Sequence, residues 1–242
     1  MKRADLFLFE NGHAASRSEA QAAIRAGLVR VDGETLEKPS AQIGDGMAIE
    51  YSKPHPFVSR GGVKLAAALD HYQLSPEGLV CLDIGASTGG FSDVLLAGGA
   101  AQVYAVDVGH GQMHPRLLRD PRLMLRDGVN ARDLGPRHVP VAPQAIVVDV
   151  SFIGLRLVLP PAMEMAAPGA WAVALVKPQF EVGQLWVGKG GIVRDAQARE
   201  QAVADLEKFI AEQSRWKVLG RIESPIQGGD GNHEYLIAAQ KA

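Results

Sequence analysis

The chain has 242 residues, 47% of them hydrophobic, and a formal net charge of −2 at pH 7. This is enough for one sizeable domain plus a small one, and the charge shows no overall bias toward nucleic acid or anionic membranes. A single cysteine, Cys81, excludes an intrachain disulfide and favours a reducing compartment. The N-terminus lacks a signal-peptide pattern and no long uncharged apolar run occurs, so we expect a soluble, cytoplasmic protein without membrane contact.

Residues 1–52 have the pattern of a small autonomous module. The capping box Ser16-x-x-Glu19 predicts the start of a helix. Leu28–Val31 alternates as a strand, and Asp32-Gly33 is a typical hairpin turn. Met47–Tyr51 predicts a second strand.

Cations recur on the exposed face of the predicted helix. Arg17, Gln21 and Arg25 are spaced four residues apart, and Arg3 and Arg30 lie on the flanking segments. Charge alone leaves two interpretations open, a solvated helix face or an RNA-binding surface.

The same segment resembles the RNA-binding domain of ribosomal protein S4. The resemblance is carried by Arg3-x-Asp5-Leu6, Ser16-Arg17-x-Glu19-Ala20 and Val31-Asp32-Gly33. It implies a small α+β domain whose Ser-Arg helix docks on structured RNA. The implied RNA-binding residues of this domain are Arg3, Arg17, Arg25 and Arg30.

Residues 53–62 predict an extended linker, because Pro54 and Pro56 disfavour helix at and before their own positions. A helix is predicted from about Val63 to His71, in the second domain (63–242). It places Lys64 in its first turn, where a positive charge opposes the helix dipole. Lys64 is therefore not explained by helix stability.

The centre of the second domain is a strand, a glycine-rich loop and a helix. Val80–Ile84 predicts a buried strand, and the glycines after it let the backbone approach a ligand closely. Ser87 replaces the second glycine of the dinucleotide fingerprint, and Asp83 disfavours a pyrophosphate and favours a cationic ligand such as S-adenosylmethionine. A ligand-free turn is the alternative interpretation. The predicted ligand-binding residues are Asp83, Gly85, Ser87, Gly89, Gly90 and Phe91.

Four more predicted strands also end in polar residues. These strands are Gln102–Val106, Met124–Arg126, Ala145–Val148 and Trp171–Val176, and the residues that follow them are Asp107, Asp127 with Asn130, Asp149 and Lys177. Asp107 comes 24 residues after Asp83, close to where a ribose-binding acid is expected. We therefore add Asp107, Asp127 and Asn130 to the predicted cofactor site.

The rest of the domain closes the sheet. A long helix is predicted over Gln197–Gln213, then two closing strands, Lys217–Glu223 and Tyr235–Ala239. The alternation of strands and helices predicts a Rossmann-like, mostly parallel sheet with helices on both faces. Because ligands collect at the carboxyl ends of such strands, the polar residues there predict an active site.

Two further patterns are rejected as sites. Gly183-x-x-x-x-Gly188-Lys189 resembles a phosphate-binding loop, but Gly190 replaces the Ser or Thr that holds magnesium. We interpret 183–191 as a flexible loop near the site, with Lys189 as an RNA contact. His110 and His114 have the spacing of a metal pair without the accompanying glutamate, and we predict no metal site.

The second domain resembles the FtsJ-like ribose methyltransferases, and the whole chain resembles the TlyA family, also labelled hemolysins. The motifs that extend the resemblance from the FtsJ-like domain to the TlyA family are Ser59-Arg-Gly-Gly-x-Lys64, Val187–Asp195 and Gly231-Asn-His-Glu234. The resemblance implies S-adenosylmethionine-dependent 2′-O-methylation of a cytidine in ribosomal RNA, with ribosomal RNA or a ribosomal subunit as the partner. It also implies a catalytic set, which maps onto Lys64, Asp149, Lys177 and Glu234.

This reaction requires a ribose hydroxyl to lose its proton while it attacks a methyl group in line. Lys177 is the candidate to accept or steer that proton. The alternative is electrostatic, with Lys177 and Lys64 stabilising the developing alkoxide while the two carboxylates orient them. Two other classes stay open, an NAD-dependent dehydrogenase on a similar sheet and a cytolysin.

Overall fold

The computed structural model describes residues 1–14 and 16–242. It divides the chain into two compact units, Met1–Pro56 and Phe57–Ala242. Each unit buries its own cluster of apolar side chains, as an independent domain does.

The first unit is a small α+β module. In chain order its elements are β1 (Lys2–Arg3), α1 (Ala4–Glu10), α2 (Arg17–Arg25), β2 (Val29–Val31), β3 (Glu34–Thr35), β4 (Gln42–Ile43) and β5 (Ile49–Tyr51). An antiparallel sheet has the order β3-β2-β5, and β1 pairs with β4. The α+β class predicted for the N-terminal module is confirmed.

Local signals in the sequence account for the start of α2 and for the first hairpin. The Ser16 Oγ accepts a hydrogen bond from the Glu19 backbone N–H (3.1 Å), and the Glu19 carboxylate accepts one from the Tyr51 hydroxyl (2.8 Å). Asp32 and Gly33 connect β2 to β3 with φ of +51° and +83°. Tight hairpin turns need this left-handed conformation at both residues, so the predicted turn is confirmed.

The second unit is an α/β sheet domain. Its elements are α3 (Gly61–Tyr72), β6 (Val80–Ile84), α4 (Gly90–Ala97), β7 (Gln102–Asp107), α5 (Pro115–Leu118), β8 (Leu123–Asp127), β9 (Ala145–Val148), α6 (Leu155–Met165), β10 (Trp171–Val176), α7 (Pro178–Glu181), α8 (Ala196–Glu212), β11 (Trp216–Glu223) and β12 (Tyr235–Lys241). Short 3₁₀ turns lie at Ala131–Asp133, Gln184–Trp186 and Lys189–Gly191.

The sheet has seven strands in the order β11-β12-β10-β9-β6-β7-β8. Strands β6 to β10 are parallel, and β12 is antiparallel to both β10 and β11. The chain adds β7 and β8 on one side of β6, and β9 and β10 on the other. The carboxyl ends of β6 and β9 therefore flank the point where strand order reverses, which is where ligands bind in open α/β sheets.

Helices cover both faces of the sheet. On one face Leu82 and Ile146 belong to a buried cluster that includes residues of α6 and α8. On the other face Cys81 and Val103 belong to a cluster that includes residues of α3 and α4. Strand side chains alternate between faces, so a strand covered on both sides is apolar throughout, as β9 and β10 are. The predicted Rossmann-like architecture is confirmed.

The start of the second unit differs from the sequence prediction. Helix α3 begins at Gly61, earlier than the predicted Val63. The Val58 N–H donates to the Asp93 carboxylate (2.8 Å), so the chain is already anchored before α3. The predicted linker, 53–62, thus overlaps the beginning of this unit.

Within residues 1–14 and 16–242, no helix combines the length and the apolar character needed to cross a bilayer.

Helix α6 follows the loop after Asp149, and its carboxyl end is closed by a distant lysine. The Lys241 ammonium donates to the carbonyls of Met163 (2.9 Å), Glu164 (3.2 Å) and Ala166 (2.7 Å). These carbonyls lack partners within the helix, and a cation there also complements the helix dipole. Lys241 thus fixes the end of the helix that leads out of the site.

Replacing Lys241 with Met should lower the free energy of unfolding of the second unit by about 1 kcal/mol, because the Glu164 and Ala166 carbonyls then bond only to water, whereas Met163 keeps the hydrogen bond from the Trp216 indole N–H (3.3 Å). Tryptophan fluorescence in a denaturant titration isolates this unit, since Trp171, Trp186 and Trp216 all lie in it. Lys217→Met on β11 is the matched control, because that lysine is exposed. Equal stability of the two variants would contradict this role for Lys241.

Candidate active site

A cavity of about 460 Å³ opens at the carboxyl ends of β6, β7 and β9. The segments at the carboxyl ends of four successive strands, β6 to β9, form its wall. They contribute Gly85, Ser87, Asp107, Asn130, Asp149 and Ser151. Two exposed apolar residues, Val108 and Phe152, also line it. The position is the one that the reversal of strand order predicts. Volumes of roughly 300–1,000 Å³ are typical of small-molecule sites.

Gly85 allows the glycine loop to approach the end of β9. Its φ is +81°, and a Cβ there would lie 2.3 Å from the Asp149 carbonyl oxygen. No other residue fits this close contact without displacing the backbone. The loop after β6 and the predicted catalytic residue Asp149 are therefore adjacent because residue 85 has no side chain.

Asp107 joins the same loop to the end of β7. Its carboxylate accepts hydrogen bonds from the backbone N–H groups of Ser87 and Gly109, both at 2.7 Å. The Ser87 hydroxyl in turn donates to the Gln112 side chain (2.9 Å). Asp107 thus shapes the cavity wall and also faces the cavity itself.

Asp83, predicted as a ligand-binding residue, is placed apart from the cavity wall. Its side chain is fully buried and lies outside the cavity wall. One carboxylate oxygen accepts from the Ser92 hydroxyl (2.6 Å), and the other has no hydrogen-bond partner in the described part of the chain. Burial raises the pKa of Asp83 to about 7, although the Ser92 hydroxyl opposes that shift.

Other residues of the predicted cofactor set also lie outside this wall. A Cβ on Gly89 would lie 2.3 Å from Leu117, and one on Gly90 would lie 2.1 Å from the Ser59 hydroxyl, so both glycines serve close packing. Phe91 is buried in the core. The Asp127 carboxylate accepts from the Gly111 N–H (2.9 Å) and braces the loop after β7.

The four residues of the predicted catalytic set form two ion pairs. Lys177 Nζ lies 2.6 Å from Asp149 Oδ1 and donates to the Ser151 hydroxyl (2.8 Å). Lys64, in the first turn of α3, pairs directly with Glu234, just before β12. The Lys64–Glu234 pair is the deeper one, with side chains 7% and 3% exposed against 12% and 23% for Lys177 and Asp149.

A second cavity, of about 380 Å³, lies on the other side of the Lys177–Asp149 pair. Lys177 and Glu234 line it, whereas Asp149 lines the first cavity. Ser151 and Phe152 line both. The ion pair therefore stands where the two cavities meet.

Phe152 is a site residue that sequence reasoning did not single out. Its side chain is 91% exposed, its φ is +64°, and its ring centroid lies 5.2 Å from that of Phe180. A large aromatic residue held exposed in a left-handed conformation costs free energy, which points to a function. The available signal was an aromatic residue three positions after a strand-end acid.

Four of the five predicted RNA-binding residues lie in the first unit, and Lys189 lies in the second. Arg3 and Arg17 are brought together, since both donate to the buried carboxylate of Asp5. Arg25 is exposed at the end of α2, and Arg30 donates to the Gly33 carbonyl (2.7 and 3.1 Å). Lys189 is exposed in the second unit, next to the glycines 190 and 191 that line the second cavity.

The two rejected patterns lie in short segments next to helices. Residues 183–191 follow α7 and form two 3₁₀ turns. The His114 Nδ1 accepts from the Arg116 N–H and begins α5. Among residues 1–14 and 16–242, no group of three or more His, Cys, Asp or Glu side chains is arranged to hold a metal ion.

Two protein families match the chain in separate segments. The model described as FtsJ-like methyltransferase matches residues 57–241, and the model described as S4 domain matches residues 2–49. The two matches correspond to the two compact units.

Curated relatives and a solved structure match over nearly the full length. The 16S/23S rRNA (cytidine-2′-O)-methyltransferase TlyA of Mycobacterium tuberculosis is 42% identical over 97% of this chain and 88% of its own. Hemolysin A of Brachyspira hyodysenteriae is 40% identical over 97% of this chain and 98% of its own. A solved structure from Streptococcus thermophilus, also described as a hemolysin, is 40% identical, covers 100% of this chain and 88% of that one, and has a TM-score of 0.78.

More distant structures share the fold alone. An O-methyltransferase from Bacillus cereus, solved in complex with SAH, is 16% identical with a TM-score of 0.52, over 76% of this chain and 82% of that one.

The buried Asp83 generates a pH-dependent prediction. Between about pH 4 and pH 7 the folded second unit holds a proton on Asp83 that the unfolded chain releases, so stability falls as pH rises through this window. Asp83→Asn removes that dependence, and above pH 7 its gain over the wild type should reach at most about 4 kcal/mol.

Denaturant titrations of both proteins from pH 4 to pH 8 test this prediction. Glu77→Gln, an exposed site in the same unit, is the control and should leave the pH profile unchanged. A constant difference between the wild type and Asp83→Asn at every pH would show that Asp83 does not titrate in this range.

Proposed function

This chain belongs to the TlyA family, FtsJ-like methyltransferases with an S4 domain, and we propose that it methylates the 2′-hydroxyl of a cytidine in ribosomal RNA with S-adenosylmethionine as methyl donor. The observation that carries the proposal is the Lys177–Asp149 pair between two cavities. A methyl transfer needs a donor and an acceptor that meet at one point, with polar groups at that point. Two cavities that share Ser151 and Phe152 provide this arrangement.

The residues of the first cavity fit S-adenosylmethionine. When bound, that cofactor supplies a methyl group on a sulfonium centre open to attack by a nucleophile. Asp107 and Asn130 are suited to hydroxyl and amine groups, and Gly85 leaves the backbone open to close approach. Asp149 adds a carboxylate on the wall nearest the second cavity, which suits a cationic ligand.

The second cavity is our proposed acceptor site. Lys177 faces it and is held by Asp149 and Ser151, so its ammonium group has a fixed position for a ribose hydroxyl. Lys177 there either stabilises the alkoxide as it forms or, in its neutral amine form, accepts the hydroxyl proton. Asp149 orients Lys177 in both roles.

Glu234 lines the second cavity, our proposed acceptor site. Lys64 pairs with Glu234 and holds it in position but does not line that cavity. Both side chains are almost fully buried, so removing either one leaves an unpaired charge in the interior. Variants of this pair therefore combine a loss of chemistry with a loss of stability. Lys177, which is more exposed, is the better residue for testing the chemistry.

Phe152 is our candidate platform for the target base. An exposed ring at the junction of the cavities can stack on a nucleotide extruded from an RNA helix. The contact with Phe180 supports the ring on its protein side. In this role Phe152 aligns the ribose with Lys177.

We assign RNA docking to the first unit, on the basis of the S4 match and the Arg3–Arg17 pair. The partner is then ribosomal RNA or a ribosomal subunit, and we propose the cytoplasm as the compartment. The dehydrogenase alternative is set aside by the methyltransferase match. The lytic alternative rests on the names of relatives, and a red-cell lysis assay with the purified protein tests it directly.

Removing the carboxylate of Asp107 should weaken S-adenosylmethionine binding. Asp107→Ala loses a cavity-wall acceptor and both backbone contacts, and we expect an affinity at least about 10-fold lower by calorimetry. Asp107→Asn keeps one acceptor and should lose less. An unchanged affinity in both variants would remove Asp107 from the cofactor site.

Removing Lys177 should abolish turnover without abolishing binding. Lys177→Ala should bind cofactor and ribosomal RNA normally but methylate at least about 100-fold more slowly. Lys208→Ala, an exposed lysine on α8, is the control. Full activity of Lys177→Ala would contradict the proposed function.

Lys177→Arg separates the two roles of Lys177. A guanidinium stays protonated, so it can stabilise an alkoxide but cannot act as a base. Turnover near that of the wild type would assign an electrostatic role, and turnover as low as that of Lys177→Ala favours proton acceptance. Single-turnover methylation assays at saturating RNA give the comparison.

A further inference from the structure

Asp5, in the first turn of α1, is a buried carboxylate with an unusual number of donors. Its side chain is fully buried. It accepts from Arg3 Nε (3.0 Å) and Nη2 (3.1 Å), from Arg17 Nη2 (2.9 Å) and from Gln21 Nε2 (2.7 Å). These side-chain donors come from β1 and α2, and the Leu6 backbone N–H also donates to Asp5 (3.0 Å), so Asp5 joins β1 and α2 at the start of α1.

The two arginines around Asp5 keep much of their surface free. The side chains of Arg3 and Arg17 are 46% and 48% exposed, while Asp5 beneath them has no exposure. A guanidinium has five N–H donors; Arg3 directs two of them, and Arg17 one, to Asp5. Both arginines therefore retain donors for an external anion.

The Asp5 carboxylate stays ionised at physiological pH. The guanidinium of Arg3 holds the pKa of this carboxyl well below its usual range, with Gln21 and Arg17 adding to the effect against burial. The cluster of one carboxylate and two guanidinium groups thus has a net positive charge at any physiological pH.

Two effects of Asp5 on phosphate binding oppose each other. Its negative charge repels a phosphate nearby, which weakens binding. Its hydrogen bonds hold two flexible side chains in place, which removes the entropy cost of ordering them at the moment of binding. A carboxylate already neutralised by two guanidinium groups repels weakly, so the ordering effect is the larger one.

We propose that Asp5 is a positioning residue that holds Arg3 and Arg17 as a preformed pair for an RNA phosphate. This inference rests on the proposed function, because that function supplies RNA as the ligand. It goes further by assigning the affinity to a residue that cannot itself touch the RNA. Charge and positioning make opposite predictions when Asp5 is neutralised.

The test uses the full chain and labelled total ribosomal RNA, with affinity measured by filter retention over a series of salt concentrations. If Asp5 positions the arginines, Asp5→Asn should bind about 10-fold more weakly, and the slope of log affinity against log salt should fall by about 1. If Asp5 acts only through its charge, the same variant binds more tightly. Glu37→Gln removes an exposed acid from the same unit and is the charge-matched control.

A double-mutant cycle with Arg17→Ala separates positioning from general stability. If Asp5 acts through Arg17, Asp5→Asn should cost much less affinity in the Arg17→Ala background than in the wild type. An equal loss in both backgrounds would overturn the proposal. In methylation assays at varied RNA concentration, Asp5→Asn should keep the wild-type kcat while its KM for RNA rises. Loss of folding would lower kcat instead.

Gln21→Leu keeps the proposal testable if Asp5→Asn does not fold. It removes one neutral hydrogen bond from Asp5 and no charge, and we expect binding about 3-fold weaker, again only when Arg17 is present. Unchanged binding by this variant would count against positioning. Wild-type protein without salt-sensitive binding to ribosomal RNA would instead overturn the proposed docking function, and this inference with it.

Discussion

The ion pair between Lys177 and Asp149 is the contact on which the rest of the site depends. Parallel pairing of β9 and β10 places the ends of these strands side by side, and each of the two residues directly follows its strand. Opposite charges at adjacent strand ends attract, and the partly buried position strengthens that attraction. The two cavities lie on either side of this pair, so one contact fixes the boundary between the proposed donor site and the proposed acceptor site.

Backbone packing brings the rest of the site to that pair. Gly85 has no side chain, so the loop after β6 lies against the Asp149 carbonyl. Ser151 then hydrogen-bonds to Lys177, and Phe152 follows in a left-handed conformation with its ring exposed. These features cost stability through strain and exposed apolar surface, which is the usual cost of a binding site in a folded protein.

The sequence predicted the sheet and its polar strand ends well, because both follow from local patterns. Apolar runs of strand length and their terminal acids locate Asp107, Asp149 and Lys177 at one edge without knowledge of any contact. The sequence did not show which side of the backbone a side chain occupies or how deeply it lies. Asp83 was therefore expected in the ligand site and is buried against Ser92.

Contacts between residues far apart in the chain also could not be predicted from local patterns. Lys64 and Glu234 are 170 positions apart, and only family resemblance suggested that they belong together. Asp5 and Gln21 are 16 positions apart on different helices, and neither helical spacing nor charge pattern indicated their contact.

Mass spectrometry of nucleosides from ribosomal RNA treated with the protein and S-adenosylmethionine tests the proposed reaction most directly. It should find 2′-O-methylcytidine, whereas a methyl group on the base, or none, would contradict the proposal.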